Sequence, residues 1–309
     1  MRIILLGLGT QGKKRRAVAG ADVVATVDPV CDDADYRRLK DVDLDAFDAA
    51  LVCVPDSEKL PLVRYLLENG KHTLVEKPLL AESDELLTDL RSISRKSGAV
   101  CYTAYNHRFE PHFIRMRDVL RSGRLGRIYL VRLFYGNGTA RDVRESVWRD
   151  RGGGVIPDLG SHLLDTILFW FGTWRRDFEL DVAYRFENRA FDHVVIRATE
   201  EPAVELEASL VCWRNSFSAE IFAEHGSAHI ESLCKWGPTT FTVRERRLPS
   251  GRPREESITL VQPDPTWEQE YLHFRQLCSK AKPGTFAEDL WINRTLVGLI
   301  HEALERSPT

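Results

Sequence analysis

The sequence lacks long hydrophobic runs, paired cysteine motifs and an excess of charge of either sign. No apolar run in the 309 residues approaches the roughly 20 residues that a membrane-spanning helix needs, and no stretch resembles a signal peptide, so we expect no membrane partner. The net charge of -3 gives no reason to expect nucleic acid binding. None of the six cysteines has C-x-x-C or Cys/His spacing, which predicts reduced, mostly buried thiols in a cytoplasmic protein.

Metal-ligand patterns, internal repeats and low-complexity tracts are also missing. The nine histidines are scattered, without an H-E-x-x-H or similar spacing, and we therefore expect no metal site. A hydrophobic fraction of 43% with 29% charged residues is typical of a globular enzyme, and the length predicts about two domains.

The opening stretch predicts a nucleotide site. A short apolar run ends in Gly7-Leu8-Gly9-Thr10-Gln11-Gly12, a G-x-G-x-x-G spacing between a buried strand and a helical segment. Gly7 allows the tight turn, Gly9 lets the backbone approach a pyrophosphate, and Gly12 lets the helix pack against the strand. The basic cluster that follows, residues 13–16, is interpreted as a solvated helix face.

An acidic residue stands where such a site would need one. The second apolar run ends at Asp28, about 20 residues beyond the first glycine, where a carboxylate accepts hydrogen bonds from the adenosine ribose. Pro55 and Glu76 end the third and fourth strand-like runs, and the carboxyl ends of parallel strands are where ligands bind. The expected cofactor is NAD rather than NADP, bound by Gly7, Gly9, Thr10, Gln11, Gly12, Asp28, Pro55, Glu76 and Lys77.

The pattern of secondary structure changes near Asn106. Strand and helix signals alternate before it, which predicts a Rossmann domain with a doubly wound parallel sheet over residues 1–106. Strand-like runs then follow one another at 127–135, 179–186, 193–199, 204–213, 217–223 and 228–233, before helical runs at 266–280 and 286–306. We expect an α+β domain over residues 107–309 with an open mixed or antiparallel sheet, whose final helix could pack back on the first domain.

Two further motifs narrow the function. Leu74-Val75-Glu76-Lys77-Pro78 ends the fourth strand, and the run 152–165 reads Gly-Gly-Gly-Val-Ile-Pro-Asp-Leu-Gly-Ser-His-Leu-Leu-Asp. With the opening glycines, these motifs resemble the glucose-fructose oxidoreductase, inositol dehydrogenase and MocA-like family over nearly the whole chain. The resemblance implies a nicotinamide-dependent dehydrogenase acting on a sugar, cyclitol or nucleotide-sugar alcohol. It also implies a homodimer or homotetramer paired through the second sheet, and a cis bond from Lys77 to Pro78.

The residues themselves suggest how such a reaction would proceed. An ammonium at Lys77 would stabilise the alkoxide character that develops during hydride transfer. Pro157 suits the first turn of a helix, and if that helix runs on through Phe171, Asp158 and His162 share one face. Asp158 would then orient His162 as the general base, with Asp165 as a supporting residue.

Some assignments stay open. Asn106, Arg108, Trp148 and Arg149 are candidates for contacts with substrate, and a packing role is an alternative for each. Two other functions remain possible: a cofactor-binding regulatory protein without turnover, against which the intact Lys77, Asp158 and His162 argue, and an NAD-dependent glycoside hydrolase that uses the same residues.

Overall fold

The computed structural model describes residues 1–146, 149–280, 282 and 284–306. The strands are β1 Ile3–Leu6, β2 Val23–Val27, β3 Ala49–Val52, β4 His72–Glu76, β5 Cys101–Ala104, β6 Ile128–Gly136, β7 Glu179–Tyr184, β8 His193–Ala198, β9 Ala203–Ser209, β10 Ser216–Ala223, β11 Gly226–Glu231, β12 Thr239–Glu245 and β13 Arg254–Leu260. The α-helices are α1 Thr10–Ala19, α2 Asp56–Glu68, α3 Asp84–Ser97, α4 Pro111–Arg121, α5 Ala140–Arg144, α6 Ser161–Phe171, α7 Thr266–Ser279 and α8 Phe286–Arg306. None of the helices within these ranges is long and apolar enough to cross a membrane.

The chain forms two compact units. The first contains Met1–Asn106 and Thr266–Arg294, and the second contains His107–Pro265 and the chain from Thr295 onward. Helix α7 and the beginning of α8, up to Arg294, therefore belong to the same unit as the N-terminal strands.

The first unit is built on a five-stranded parallel sheet with the order β2-β1-β3-β4-β5, which confirms the predicted Rossmann-type domain. Successive residues of a strand point to opposite faces, and both faces here are buried. Ile4 and Leu6 pack in a core with α2 and α3, whereas Ile3 and Leu5 pack in a core that includes Phe274 of α7. In this order β2 lies on one side of β1, and β3, β4 and β5 lie on the other. A ligand crevice is expected at the carboxyl ends of β1 and β3, where the strand order changes sides.

The second unit is built on an eight-stranded sheet with the order β13-β12-β11-β10-β6-β9-β8-β7. All neighbours are antiparallel except β6 and β9, so the prediction of an open mixed sheet is confirmed. Helices α4 and α6 lie on one face and cover alternate residues such as Val131 and Leu133.

Two sequence predictions in this unit are wrong. The strand expected over 204–213 ends at Ser209, and Trp213 adopts a φ of 55°, which no strand residue has. Strands β12 and β13 are absent from the predicted strands. Strand β13 is exposed along nearly its whole length and gives no hydrophobic alternation, whereas β12 carries the buried Phe241 and Val243 two residues apart, a signal that could have indicated it.

Candidate active site

The glycine turn between β1 and α1 has the backbone that its sequence predicts. Gly7 has a φ of +90°, and a Cβ there would lie 2.3 Å from the carbonyl oxygen of Cys53. A Cβ on Gly12 would lie 1.9 Å from the Gly7 oxygen, so α1 could not pack this close to the turn with any larger residue. These two glycines are therefore required by the fold itself.

Gly9 is different, and it provides the test of whether a dinucleotide fits. A Cβ at Gly9 would meet no atom within 4 Å, so packing within the protein does not explain a glycine there. Gly9 precedes α1, whose first turn has neither a capping side chain nor an acidic residue. Open space beside the N–H groups that start a helix suits a pyrophosphate, which the backbone of Gly9, Thr10 and Gln11 would bind.

Asp28 connects the end of β2 to the glycine turn. Its Oδ2 accepts a hydrogen bond from the Leu8 N–H at 2.7 Å, and its Oδ1 accepts from the N–H groups of Val30 and Cys31, both at 2.9 Å. Partial burial acts to raise the pKa of Asp28, but these bonds and the charge of Arg37 outweigh it and lower the pKa. A carboxylate has about four lone-pair directions, so one on Oδ2 is left for a ribose hydroxyl.

The basic cluster after the turn is not uniformly solvated, which corrects the interpretation of residues 13–16. Arg15 is only 2% exposed, and its Nε donates to Oε1 of Glu76 at 2.7 Å while Nη1 lies 2.6 Å from Oε2 of Glu270. Its guanidinium also stacks 4.3 Å from the ring centre of Trp267. Glu76, predicted to bind the cofactor, thus commits one carboxylate oxygen to Arg15.

The other predicted residues of the first unit lie at strand ends. Pro55 follows β3 and directly precedes α2. Lys77 follows β4, and the bond from Lys77 to Pro78 is cis, as the resemblance implied. Asn106 is buried, and its Nδ2 donates to Oγ1 of Thr266 at 2.7 Å, a bond that ties the end of β5 to the start of α7.

In the second unit, packing explains two of the three consecutive glycines, Gly153 and Gly154. Gly154 has a φ of +53°, and a Cβ there would lie 2.1 Å from the Phe191 oxygen. A Cβ on Gly153 would lie 2.6 Å from the side chain of Ile300. Asp150 stabilises the same loop, because its Oδ1 accepts from the N–H groups of Arg189 and Ala190.

The helix after these glycines does not begin as a regular α-helix. Ile156–Gly160 form a π-helical turn that leads directly into α6 at Ser161, so the helix runs on through Phe171 but its first turn is wider than that of a regular α-helix. Oδ2 of Asp158 lies 3.5 Å from Nη2 of Arg149, an ion pair that the sequence did not predict. That Asp158 orients His162 stays a prediction.

His162 lies among aromatic rings. It is 7% exposed and stacks on His107, with ring centres 4.1 Å apart and planes 22° apart. The ring of Tyr135 meets it edge to face at 5.7 Å. An imidazole held in this way has a fixed orientation, which a general base requires.

Lys235 completes this cluster and was missed from the sequence. Its Nζ lies 3.4 Å from Nε2 of His107 and donates to the Tyr135 hydroxyl at 3.1 Å. Because an ammonium can only donate, Nε2 of His107 must accept, which places the proton of a neutral His107 on Nδ1. His107 lies in the short helical turn that follows β5. Lys235 lies in the short turn after β11, and no motif indicates it.

Two further residues were predicted to contact substrate, Arg108 and Trp148. Arg108 pairs with the buried Asp165: its Nε lies 3.0 Å from both carboxylate oxygens, and its Nη2 donates to Oδ1 at 2.5 Å. Asp165 therefore binds Arg108, a partner that the sequence interpretation did not include. Trp148 lies outside the described residues. Within the described residues, no group of three or more His, Cys, Asp or Glu side chains could hold a metal ion.

A parallel sheet whose first strand ends in such a glycine turn defines the class of dinucleotide-binding proteins. Two family models match the chain and name its family within that class. Residues 5–105 match the model described as "Oxidoreductase family, NAD-binding Rossmann fold", and residues 113–229 match the GFO/IDH/MocA C-terminal domain. The two models together cover more than half of the chain, and the chain belongs to the GFO/IDH/MocA oxidoreductase family.

Individual relatives agree with this assignment. The chain is 28% identical to inositol 2-dehydrogenase of Rhizobium meliloti (strain 1021) over 186 residues, which are 56% of this chain and 55% of that protein. It is also 28% identical to scyllo-inositol 2-dehydrogenase (NADP(+)) of Bacillus subtilis (strain 168) over 130 residues, 41% of this chain and 36% of that protein. The alignments thus span about half or less of these curated relatives.

A solved structure shows the same fold over the whole chain. Levoglucosan dehydrogenase in complex with NADH superposes with a TM-score of 0.84, covering 99% of this chain and 98% of that one at 16% identity.

Proposed function

We propose that the protein is a dehydrogenase that transfers a hydride from a secondary alcohol of a sugar, cyclitol or nucleotide sugar to NAD. The observation that carries the proposal is the environment of His162, whose nearly buried imidazole stacks on His107. The first unit of the same oxidoreductase has an uncapped glycine turn that suits a dinucleotide. The names of the inositol and levoglucosan dehydrogenases support the substrate class.

In the proposed reaction, the alcohol loses a hydride and a proton. Bound NAD supplies the nicotinamide that accepts the hydride. The imidazole of His162 accepts the hydroxyl proton, and the ammonium of Lys77 stabilises the charge that develops on the same oxygen. Asp158, which forms an ion pair with Arg149, is proposed to orient the imidazole of His162.

A panel of sugars, cyclitols and nucleotide sugars, followed by the absorbance of reduced nicotinamide, tests this proposal. Continuous reduction of NAD with at least one alcohol is the expected result. A regulatory protein would bind NAD and reduce none of it with any compound. A glycoside hydrolase would release free sugar from a glycoside without net reduction of NAD.

NAD is expected to bind more tightly than NADP. The Asp28 carboxylate repels a 2′-phosphate, and Asp28→Ser should narrow the preference by about fivefold or more, since the repulsion of two charges about 4 Å apart is worth about 1 kcal/mol in water and more near a protein surface. The serine also loses the bonds to Leu8, Val30 and Cys31, so the ratio of the two dissociation constants is the proper measure.

The matched control for Asp28→Ser is Asp32→Ser. Asp32 is an acid of the same loop whose side chain is 96% exposed and pairs with Arg37. Its removal should leave the ratio unchanged. Tighter binding of NADP than NAD by the unmodified protein would show that Asp28 does not select the cofactor.

We further propose that the protein forms a dimer or tetramer through the open face of the second sheet. On that face Leu130 and Phe134 flank Arg132, which lies opposite Glu220 of β10 and Glu205 of β9. An apolar patch interrupted by complementary charges suits a specific contact between two copies.

Leu130→Asp tests this assembly. The substitution should shift the molar mass measured by light scattering towards the monomer, because it buries an unpaired charge in the interface. Val24→Asp, at a residue that is 50% exposed in the first unit, should leave the mass unchanged. A monomeric unmodified protein at micromolar concentration would contradict the proposal.

A further inference from the structure

Lys59 is a buried lysine that no motif in the sequence indicates. It lies in the first turns of α2 and is 2% exposed, although lysine side chains are almost never buried unless they are paired. Its Nζ donates to the carbonyl oxygens of Lys77 at 3.2 Å and Pro78 at 2.9 Å, and lies 2.6 Å from Oδ1 of Asp56. An ammonium has three N–H donors, and all three have an acceptor here.

The two carbonyl groups belong to the turn that carries Lys77. The pairing of β4 with its neighbour β5 ends at Glu76, so the backbone of Lys77 and Pro78 lies beyond the sheet ladder. Buried carbonyl groups outside a ladder need another donor, and Lys59 supplies it. On the other side of the turn, Arg15 binds the side chain of Glu76. Each residue of Glu76-Lys77-Pro78 is thus held by a buried cation.

Stability alone does not explain a lysine at this position. Burial lowers the pKa of Lys59, and the charges of Asp56 and Glu76 offset only part of that effect. An apolar side chain of similar length would avoid the desolvation of the ammonium, and such replacements of buried charges are often neutral or stabilising. What an apolar side chain cannot do is hold two specific carbonyl groups in one place.

We propose that Lys59 is a positioning residue for Lys77. By holding the carbonyl groups of Lys77 and Pro78, it fixes the backbone from which the Lys77 ammonium projects. This inference rests on the proposed function in one respect, namely the role of Lys77 in turnover. A displacement of about 1 Å in a reacting group can lower a rate by roughly 100-fold, so loosening this turn should be visible in kcat.

The test compares Lys59→Met with Lys71→Met. Lys71 directly precedes β4, whereas Lys77 directly follows it, and Nζ of Lys71 also donates to a backbone carbonyl, that of Phe47, at 3.0 Å. Lys59→Met should lower kcat by about 10- to 100-fold while the dissociation constant for NAD changes much less. Lys71→Met should leave both unchanged. Lys59→Gln, which keeps N–H donors without the charge, should recover part of kcat and serves if the methionine variant does not fold.

A second measurement needs no turnover. Reductive methylation with ¹³C-formaldehyde labels accessible lysines, and the NMR signal of Lys77 is assigned by its loss in Lys77→Arg. This signal should be shifted or broadened in Lys59→Met and Lys59→Gln, and unchanged in Lys71→Met.

The two measurements separate the possible failures. If the unmodified protein oxidises no alcohol, the proposed function fails, and the Lys77 signal still decides whether Lys59 fixes the turn. A Lys77 signal that is the same in the Lys59 variants and the unmodified protein overturns the inference. A kcat for Lys59→Met equal to that of Lys71→Met likewise overturns the inference that Lys59 positions Lys77.

Discussion

Replacing His162 by alanine is expected to lower the turnover number by about 100- to 10,000-fold, the usual contribution of a positioned acid–base group. The affinity for NAD should change little, because the imidazole is proposed to act on the substrate hydroxyl, whereas the glycine turn is proposed to bind the pyrophosphate. In the unmodified protein the rate of alcohol oxidation should rise with pH as the imidazole loses its proton, since only the neutral ring can accept one. That limb of the pH profile should be absent from the variant.

His112 provides a matched control for His162. It is also buried in the second unit, where its Nε2 lies 3.1 Å from the Thr239 oxygen and its ring stacks on Phe241. His112→Ala should lower the free energy of unfolding about as much as His162→Ala does, because both substitutions remove a buried stacked imidazole. The turnover number of His112→Ala should nevertheless stay unchanged. Near-normal turnover by folded His162→Ala, with the same pH limb, would assign the base to another group.

The largest effect on stability is expected for Arg15→Met. Removing one partner of a buried ion pair leaves an uncompensated charge and typically costs about 3 to 5 kcal/mol. Here the substitution would leave the buried Glu270 and the nearly buried Glu76 without their shared cation. The free energy of unfolding, measured by urea denaturation, should fall by that amount.

Two further variants isolate the charge as the cause. Arg16→Met changes an exposed arginine on the same helix and should alter stability by less than about 0.5 kcal/mol. Adding Glu270→Met to Arg15→Met removes a stranded carboxylate and should restore part of the loss. If the double variant is no more stable than Arg15→Met, the loss comes from packing against Trp267 rather than from charge.

The sequence predicts the parts of the fold that depend on local patterns. Alternating strand and helix signals indicate the parallel sheet, and the helical run at 286–306 matches α8 at both ends. The glycine turn is equally local, because Gly7 and Gly12 contact each other and the neighbouring strand through the backbone. The family resemblance carried by these motifs is confirmed by both family models.

Contacts between distant residues could not be predicted in this way. Arg15 is one of four consecutive basic residues, and only its distant partners Glu76 and Glu270 distinguish it from its exposed neighbours. The stacking of His107 on His162 and the approach of Lys235 likewise join segments that are far apart in the chain. The π-helical turn at Ile156–Gly160 escaped prediction because its sequence is compatible with an ordinary helix start.

Transfer of a labelled hydride tests the central claim most directly. An alcohol that supports reduction of NAD is prepared with deuterium on its carbinol carbon, and the reduced cofactor is analysed by mass spectrometry. The account predicts that each NADH formed carries one deuterium and that an equal amount of ketone accumulates. Unlabelled NADH, or turnover of substrate without any reduced cofactor, would contradict the assignment of the protein as a dehydrogenase of secondary alcohols.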